Sequence, residues 1–371
     1  MKIAYYMPFK PMDHRNPSGD LVTGTEIYNY LAGKGHAITL ASRLRCRWIY
    51  YRPLVLLQLL REKNRILREC RTEKPDLWLS YHSYYKAPDL LGSTCSRKLG
   101  IPYVIFQGIY STKQRRRIKT LPGYLLNRQV LQSADHIFTN KQRDFTNLKR
   151  LIPENRLSYI GPGIQPQLFR FADDWRLRLR RQWAIDNETI VMTAAMMRPG
   201  VKTEGIGLVI ESCSELAQNG FPIRLIIAGD GTCRQQLEQK AAQLLPDRVQ
   251  FLGKVPRSEL YRYYSAADIF AFPGIQESLG MVYLEAQSCN LPVVAYRDWG
   301  GGEAVVDGQT GLLSPAAAPS LFTKNIQRLI EDKTKRDILA NAAGEHIRHN
   351  HDLDRNYRQL EQKLVHMGSN L

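Results

Sequence analysis

Residues 272–286 have the sequence FPGIQESLGMVYLEA, which predicts a strand end, a polar loop and a helix that begins near Ser278. Glu277 lies in the loop, and Glu285 follows about a turn and a half into the helix. The first N–H groups of a helix lack partners within it and carry the positive dipole end, so an anion binds well there. A carboxylate can accept from two neighbouring hydroxyls, as a sugar or a ribose offers. The stretch therefore predicts a site for an anionic, hydroxyl-rich ligand.

Taken alone, the two glutamates also fit a purely structural interpretation. In that interpretation Glu277 caps the helix and Glu285 lies on a solvated face. The sequence downstream favours binding instead. Residues 291–295 read as a buried strand, and residues 300–302 form a glycine loop where backbone can approach a ligand closely.

Outward from this stretch, short apolar or β-branched runs alternate with segments of helical period, which is typical of parallel sheets wrapped by helices. The sequence predicts an α/β fold with two Rossmann-like, doubly wound halves. The strands expected in the first half are 2–6, 37–41, 77–81, 103–106, 137–139 and 158–160. Those expected in the second half are 190–194, 223–228, 249–252, 269–272 and 292–295.

The chain length of 371 residues indicates two domains. Residues 161–166, GPGIQP, can continue neither a helix nor a central strand, so we expect the hinge there. The predicted domains are 1–165 and 166–352, with a C-terminal helix at about 353–371 that packs back on the first. Because ligands of such sheets bind beyond the carboxyl ends of strands, two facing units would form a deep cleft.

The net charge of +17 lies entirely in the first half. Residues 1–165 hold 28 Lys/Arg and 11 Asp/Glu, whereas the rest holds 24 of each. Such a basic half fits a nucleic acid, or a membrane surface with acidic lipid or phosphorylated glycan, or simply a solvated surface. Arginines mixed with leucines and aromatic residues in 43–71 and 113–126 favour an anionic membrane, although the leucines also fit core packing.

The six cysteines are scattered without a C-x-x-C pair, which predicts neither a zinc site nor a disulfide framework and fits a reducing cytosol. The N-terminus reads as a strand rather than a signal peptide. The longest apolar run, 53–60, is far shorter than a membrane span of about 20 residues. We therefore expect a cytoplasmic location, with any membrane contact peripheral, on the inner face of the cytoplasmic membrane.

The second half resembles the C-terminal domain of glycosyltransferase family four, retaining enzymes with the GT-B fold. The E-x7-E motif of that family matches Glu277 to Glu285. Further matches occur in family order, and together they are specific: AGDG at 228–231, FLG at 251–253, AADIFAFP at 266–273, GGEAV at 301–305 and DGQTGLL at 307–313.

The resemblance assigns a role to each residue of the first stretch. Glu285 would hold the ribose hydroxyls, and Glu277 the hydroxyls of the donor sugar beside the anomeric carbon. Ser278 and the amides of Leu279 and Gly280 would bind the donor, with the amides facing the distal phosphate. The donor would be a nucleotide-diphosphate sugar, with no cofactor.

The family also places an arginine and a lysine after the first strand of this domain, and here they are Arg198 and Lys202. Two fixed cations neutralise the charge that grows on the leaving diphosphate, so no metal is required. The lysine departs from the family pattern because it does not directly precede the glycine and lies closer to the arginine.

Three residues of the first half are candidates on the opposite wall of the cleft: Gly19 for donor binding, and Gln107 and His82 on the acceptor side. Gly19, just after strand one, resembles the glycine-rich first loop of the family and would approach the diphosphate. Gln107 stands after the 103–106 strand where many relatives have a histidine; a glutamine can position a hydroxyl but cannot accept its proton. His82 follows strand three and is either an acceptor contact or an ordinary loop residue.

The predicted function is retaining transfer of a sugar to a glycan or lipid-linked acceptor, in cell-envelope polysaccharide or lipopolysaccharide synthesis. One alternative is a GT-B binding protein with impaired catalysis, which Gln107 allows. A second is a basic nucleic-acid-binding protein, which the neutral second half disfavours, so no nucleic acid is expected. A dinucleotide-dependent oxidoreductase is disfavoured because neither half opens with G-x-G-x-x-G.

Overall fold

The computed structural model describes residues 1–14 and 19–369, which fall into two compact units. The first unit comprises Met1–Pro162 together with Asp354–Leu371, and the second comprises Gly163–Leu353. The chain thus enters the second unit inside the glycine and proline segment, at residue 163 rather than 166. Its last helix belongs to the first unit.

The first unit is built on a six-stranded parallel sheet with the order β2-β1-β3-β4-β5-β6. The chain runs from β1 outward to β2 and then returns to β3 on the other side. The topological switch point, where open α/β sheets bind ligands, is therefore between β1 and β3. The strands are β1 (Lys2–Tyr6), β2 (Ala37–Ser42), β3 (Leu77–Ser83), β4 (Tyr103–Gly108), β5 (His136–Thr139) and β6 (Leu157–Tyr159).

The second unit repeats this plan with a six-stranded parallel sheet in the order β12-β11-β10-β7-β8-β9. Its switch point lies between β7 and β10. The strands are β7 (Thr189–Ala194), β8 (Ile223–Ala228), β9 (Val249–Gly253), β10 (Ile269–Ala271), β11 (Val293–Tyr296) and β12 (Gly311–Ser314).

Helices cover the two sheets and connect their parallel strands. Helices of the first unit are α1 (Gly19–Gly33), α2 (Pro53–Thr72), α3 (Leu90–Leu99), α4 (Leu121–Ser133) and α5 (Gln142–Leu148). The second unit contains α6 (Asp173–Gln182), α7 (Val201–Gln218), α8 (Arg234–Leu244), α9 (Leu260–Ala266), α10 (Met281–Ser288), α11 (Gly300–Ala304), α12 (Pro319–Glu331) and α13 (Lys333–Asn350). The last helix is α14 (Leu353–Ser369), and short 3₁₀ helices span Ile49–Tyr51, Thr112–Arg116, Glu154–Arg156 and Arg257–Glu259.

The central strands are buried on both faces. Every residue of β3, β4 and β7 is buried, as expected for parallel strands covered by helices on each side. Such strands read as continuous apolar runs, which is why the sequence predicts them well. The prediction of an α/β fold with two Rossmann-like units is confirmed.

Helix α14 packs on the first unit through an aromatic and polar contact. The ring of Tyr357 lies 5.5 Å from Tyr30 and 6.3 Å from Phe106, measured between centroids. One turn further, Glu361 accepts a hydrogen bond from Tyr30 Oη at 3.1 Å and lies 3.0 Å from His36 Nε2. The end of the chain is thereby fixed to α1 and to the sheet of the first unit.

Several local predictions are wrong. Helix α10 begins at Met281 rather than near Ser278. Gly280 has a left-handed backbone conformation and therefore cannot belong to the right-handed helix. Residues 300–302 begin the short helix α11 and are not a loop. Helix α1 begins at Gly19, which the resemblance to the family places in a loop. Strand β12, whose small and polar residues give a weak strand signal, is absent from the prediction.

Candidate active site

The predicted donor residues lie at the switch point of the second unit. The loop after β10 carries Glu277, and the loop after β7 carries Arg198 and leads into α7 with Lys202. Strands β7 and β10 are hydrogen-bonded neighbours. The carboxyl ends of two parallel neighbours lie at one edge of the sheet, so the fold brings these segments together from distant parts of the chain.

Two glycines shape the loop between β10 and α10. Gly274 and Gly280 have φ values of 65° and 66°, in the left-handed region that favours glycine. A Cβ atom would lie 2.0 Å from Tyr283 Oη at Gly274, and 2.3 Å from Tyr283 Cδ2 at Gly280. Tyr283 is itself fixed, because its hydroxyl donates to the carbonyl of Phe272 at 3.0 Å. The loop therefore closes tightly around one buried tyrosine.

The start of α10 presents backbone N–H groups beside this loop. Within the described residues, the N–H groups of Leu279 and Gly280 donate to no other backbone or side-chain atom. Ser278 is exposed, and its N–H lies 3.3 Å from Glu277 Oε1. Gly300, the first residue of α11, packs against these residues: a Cβ there would lie 3.0 Å from the carbonyl carbon of Leu279 and 3.1 Å from the nitrogen of Gly280. These two N–H groups thus have no hydrogen-bond partner among the described residues.

Glu277 and Lys202 form an ion pair. The ammonium of Lys202 donates to Glu277 Oε2, and it also lies 5.8 Å from the centre of the Phe272 ring. The backbone of Glu277 is held on both sides, since its N–H donates to Gly274 and its carbonyl accepts from Gly300, each at 2.9 Å. Two predicted catalytic residues, 75 positions apart, are therefore in contact.

Close backbone packing and a hydrogen bond hold the loop that carries Arg198. Gly229 and Gly231, after β8, have positive φ and lie so close to the loop after β7 that a Cβ would be 1.9 Å from Ala195 O and 2.3 Å from Met197 O. The carbonyl of Arg198 accepts from Thr203 Oγ1 at 2.6 Å. Its guanidinium is exposed and has no hydrogen bond or ion pair with the residues that the structure describes. An unpartnered cation on a fixed backbone suits a transient anionic ligand.

Glu285 is buried, with 3% of its surface exposed, and its carboxylate contacts two side chains that sequence reasoning did not single out. Arg257 Nε donates to Oε1 at 2.7 Å, and Tyr264 Oη donates to Oε2 at 3.3 Å. Arg257 in turn lies 5.2 Å from the ring centre of Phe169. A buried carboxylate is costly without such partners. Since a carboxylate has about four lone-pair positions, it can also accept from ligand hydroxyls.

In the first unit, Gln107 lies within β4, whereas the sequence analysis placed it after that strand. Its backbone φ is 64° and its side chain is buried. Its amide donates to Asp144 Oδ2 at 2.8 Å, and its carbonyl oxygen lies 3.3 Å from the N–H of Asn140 and 3.4 Å from Thr139 Oγ1. Both ends of the side chain are therefore used within the protein.

His82 lies on the neighbouring strand β3 in the same unusual conformation, with φ 70°. It is buried, and neither ring nitrogen has a hydrogen-bond partner among the described residues. Nδ1 lies 3.7 Å from Asp20 Oδ1, near the start of α1. Burial lowers the pKa of His82 to about 4, against the opposing effect of Asp20. The imidazole is therefore neutral at pH 7, with one nitrogen able to accept a hydrogen bond and the other able to donate one.

The low pKa of His82 predicts that acid weakens the first unit. In the unfolded chain a histidine has a pKa of about 6.5, so between pH 6.5 and pH 4 the unfolded state binds a proton and the folded state does not. The stability that neutral His82 contributes is therefore complete above pH 6.5 and is lost as the pH falls towards 4. The free energy of unfolding should drop by about 3 kcal/mol over that range. His82→Asn, which tolerates the left-handed backbone, should show a smaller fall in Tm between pH 7.5 and pH 5. Identical falls in the two proteins would contradict this prediction.

Gly19 is exposed at the first position of α1, and a Cβ there would meet nothing within 4 Å. Two other residues of the predicted glycine loop at 17–20, Pro17 and Ser18, lie outside the described residues. In the part of the chain that the structure describes, no cluster of His, Cys, Asp and Glu could hold a metal ion. No described helix is long and apolar enough to span a bilayer.

Residues 177–346, which contain Arg198, Lys202, Glu277 and Glu285, match the family Glycosyl transferases group 1. This segment of the chain belongs to that family. Its sequence is 27% identical, over 77% of the chain and 67% of the relative, to the D-inositol 3-phosphate glycosyltransferase of Acidothermus cellulolyticus. It is 30% identical, over 52% of each chain, to the GDP-mannose-dependent alpha-(1-6)-phosphatidylinositol monomannoside mannosyltransferase of Mycolicibacterium smegmatis.

The fold of the chain is that of solved GT-B structures. The structure of Anabaena Alr3699/HepE in complex with UDP superposes with a TM-score of 0.76 and covers 98% of this chain and 100% of its own, at 20% identity. The matched part of the chain spans 67% of the length of the glycosyltransferase from Acidothermus cellulolyticus and 52% of the length of the mannosyltransferase from Mycolicibacterium smegmatis. The predictions of the family and of the GT-B fold are confirmed.

Proposed function

We propose that the protein is a hexosyltransferase that moves a sugar from a nucleotide-diphosphate sugar to a glycan or lipid-linked acceptor, with retention at the anomeric carbon. The observation that carries this proposal is the contact of Lys202 with Glu277 beside the unused N–H groups of Leu279 and Gly280. One cation, one carboxylate and two N–H donors suit a sugar linked to a diphosphate. The names of the curated relatives, which include glycosyl- and mannosyltransferases, support it.

In this mechanism the second unit binds the donor and stabilises the leaving diphosphate. Glu285 accepts from the ribose hydroxyls, and Glu277 accepts from a sugar hydroxyl next to the anomeric carbon. Arg198 and Lys202 neutralise the negative charge that develops as the bond between that carbon and the phosphate oxygen breaks. The acceptor hydroxyl attacks from the same face, forms the new glycosidic bond and gives its proton to the departing phosphate. No metal ion is needed for these steps.

The acceptor side is proposed for the first unit. The neutral imidazole of His82 can bind an acceptor hydroxyl, and Gln107 positions the strand end through its internal network. Gly19 approaches the diphosphate. We propose that the enzyme works in cell-envelope polysaccharide or lipopolysaccharide synthesis, in the cytoplasm at the inner face of the membrane, through its basic first unit.

Nucleoside diphosphate binding tests the donor site directly. We expect one of UDP, GDP and ADP to raise the Tm selectively, since a ligand at 100 times its Kd adds about 2.7 kcal/mol. Transfer assays with the matching nucleotide sugars should then release that diphosphate, and the anomeric configuration of the product reports retention. If none of the three stabilises the protein, the donor assignment fails. Binding without turnover on any acceptor would favour the impaired GT-B binding protein instead.

A further inference from the structure

The first unit carries an exposed apolar ridge on α2 that the catalytic proposal does not use. Leu54, Leu57 and Leu60 are 73%, 53% and 48% exposed. Positions three apart lie on the same face of a helix, so these side chains form one strip. Single exposed leucines are ordinary, whereas a contiguous apolar strip marks a contact surface.

A basic segment lies directly beside this ridge. The 3₁₀ helix Thr112–Arg116 leads to Ile118, which is 90% exposed. The hydroxyl of Tyr51, just before α2, donates to the carbonyl of Lys119 at 3.0 Å. Helix α4 follows and packs on the same turn, since a Cβ at Gly123 would lie 2.5 Å from Tyr50 Oη. Residues 48–61 and 113–128 therefore form one surface, which we call the docking face.

The docking face has strong positive charge and no carboxylate. Its two segments contain no Asp or Glu. The nearest carboxylates on α2 are neutralised, because Glu62 and Glu69 both pair with Arg65, at 2.9 and 2.6 Å. The basic residues of the face are Arg52, Arg61, Lys113, Arg115, Arg116, Arg117, Lys119 and Arg128.

We propose that the docking face binds an anionic lipid bilayer, with its leucines and Ile118 inserted at the headgroup boundary and its arginines bound to lipid phosphates. This inference rests on the lipid-linked acceptor of the proposed function and identifies the surface that reaches it. The exposed leucines and the arginines together favour a membrane over a nucleic acid. A nucleic acid would be attracted by the arginines, but it would make no favourable contact with the exposed leucines. Apolar insertion and attraction to acidic lipid act together at a membrane surface.

Cosedimentation of the full chain with vesicles tests the proposal. We expect binding to vesicles that contain phosphatidylglycerol to exceed binding to pure phosphatidylcholine by at least about tenfold at low salt, and to fall at high salt. The triple variants Leu54→Gln/Leu57→Gln/Leu60→Gln and Arg115→Gln/Arg116→Gln/Arg117→Gln should each lose most of this binding. Matched controls change exposed residues of the second unit: Leu177→Gln/Leu321→Gln/Ile338→Gln and Arg170→Gln/Arg181→Gln/Arg248→Gln.

Equal binding to neutral and acidic vesicles would overturn the proposal, as would equal losses in the controls. Binding to RNA without binding to acidic vesicles, insensitive to the three leucines, would assign the face to nucleic acid. Stabilisation by nucleoside diphosphate should be unchanged in all four variants, because their substitutions lie outside the candidate active site. Failure of the docking face and failure of the donor site are therefore distinguishable.

Discussion

Replacing Lys202 with methionine is expected to lower kcat/KM for sugar transfer by about 10²- to 10³-fold, as for loss of a fixed donor to a developing negative charge. Methionine keeps the length and the apolar stem over Phe272 but removes the ammonium that contacts Glu277. The loss should fall mainly on kcat, because the charge on the diphosphate grows as the bond breaks. Steady-state kinetics with the preferred donor measure it.

Two variants separate catalysis from structure in this experiment. Lys324→Met removes an exposed lysine from α12 of the same unit and should leave kcat/KM unchanged. Glu277→Gln tests the partner: it should lower kcat strongly while the Kd for the nucleoside diphosphate changes little, because Glu277 is assigned to the sugar. If Lys202→Met changes only Tm and leaves kcat intact, the ion pair is structural and Lys202 has no role in transfer.

The strands, and the positions of the candidate site residues along the chain, could be predicted from the sequence because their signals are local. All eleven predicted strands form, with ends that differ by no more than two residues, since most of them are short runs of buried, mainly apolar side chains. Glu277 and Arg198 each follow the end of such a strand by a few residues. The placement of both at one switch point follows from the strand order.

The details of the loops could not be predicted, because tertiary contacts determine them. Gly280 ends the loop in a left-handed conformation against Tyr283, which delays the start of α10 by three residues. The partners of Glu285 come from α9 and from the 3₁₀ helix that precedes it, 21 and 28 positions upstream, with no motif to mark them. Arg257 had one usable signal, since it follows a strand end.

The second large effect is expected for nucleotide binding by Glu285→Gln. The amide keeps the volume of the side chain but loses the charge that would accept hydrogen bonds from both ribose hydroxyls. Hydrogen bonds to charged groups contribute about 1.5–3 kcal/mol, so the Kd for the preferred nucleoside diphosphate should rise by about 10- to 100-fold. Calorimetric titration below the Tm of the variant measures this Kd.

A substitution of Arg257 tests whether the rise in Kd caused by Glu285→Gln reflects a lost contact with the nucleotide. Glu285→Gln also leaves the guanidinium of Arg257 without its carboxylate, so some loss of stability is expected in addition to weaker binding. In the double variant Glu285→Gln/Arg257→Gln both charges of this ion pair are gone, and the Tm should recover towards that of the unsubstituted protein. The nucleotide Kd should stay raised, because no carboxylate faces the ribose. Recovery of both Tm and Kd in the double variant would show that Glu285→Gln weakens binding only through the displaced Arg257, and that Glu285 does not itself bind the donor.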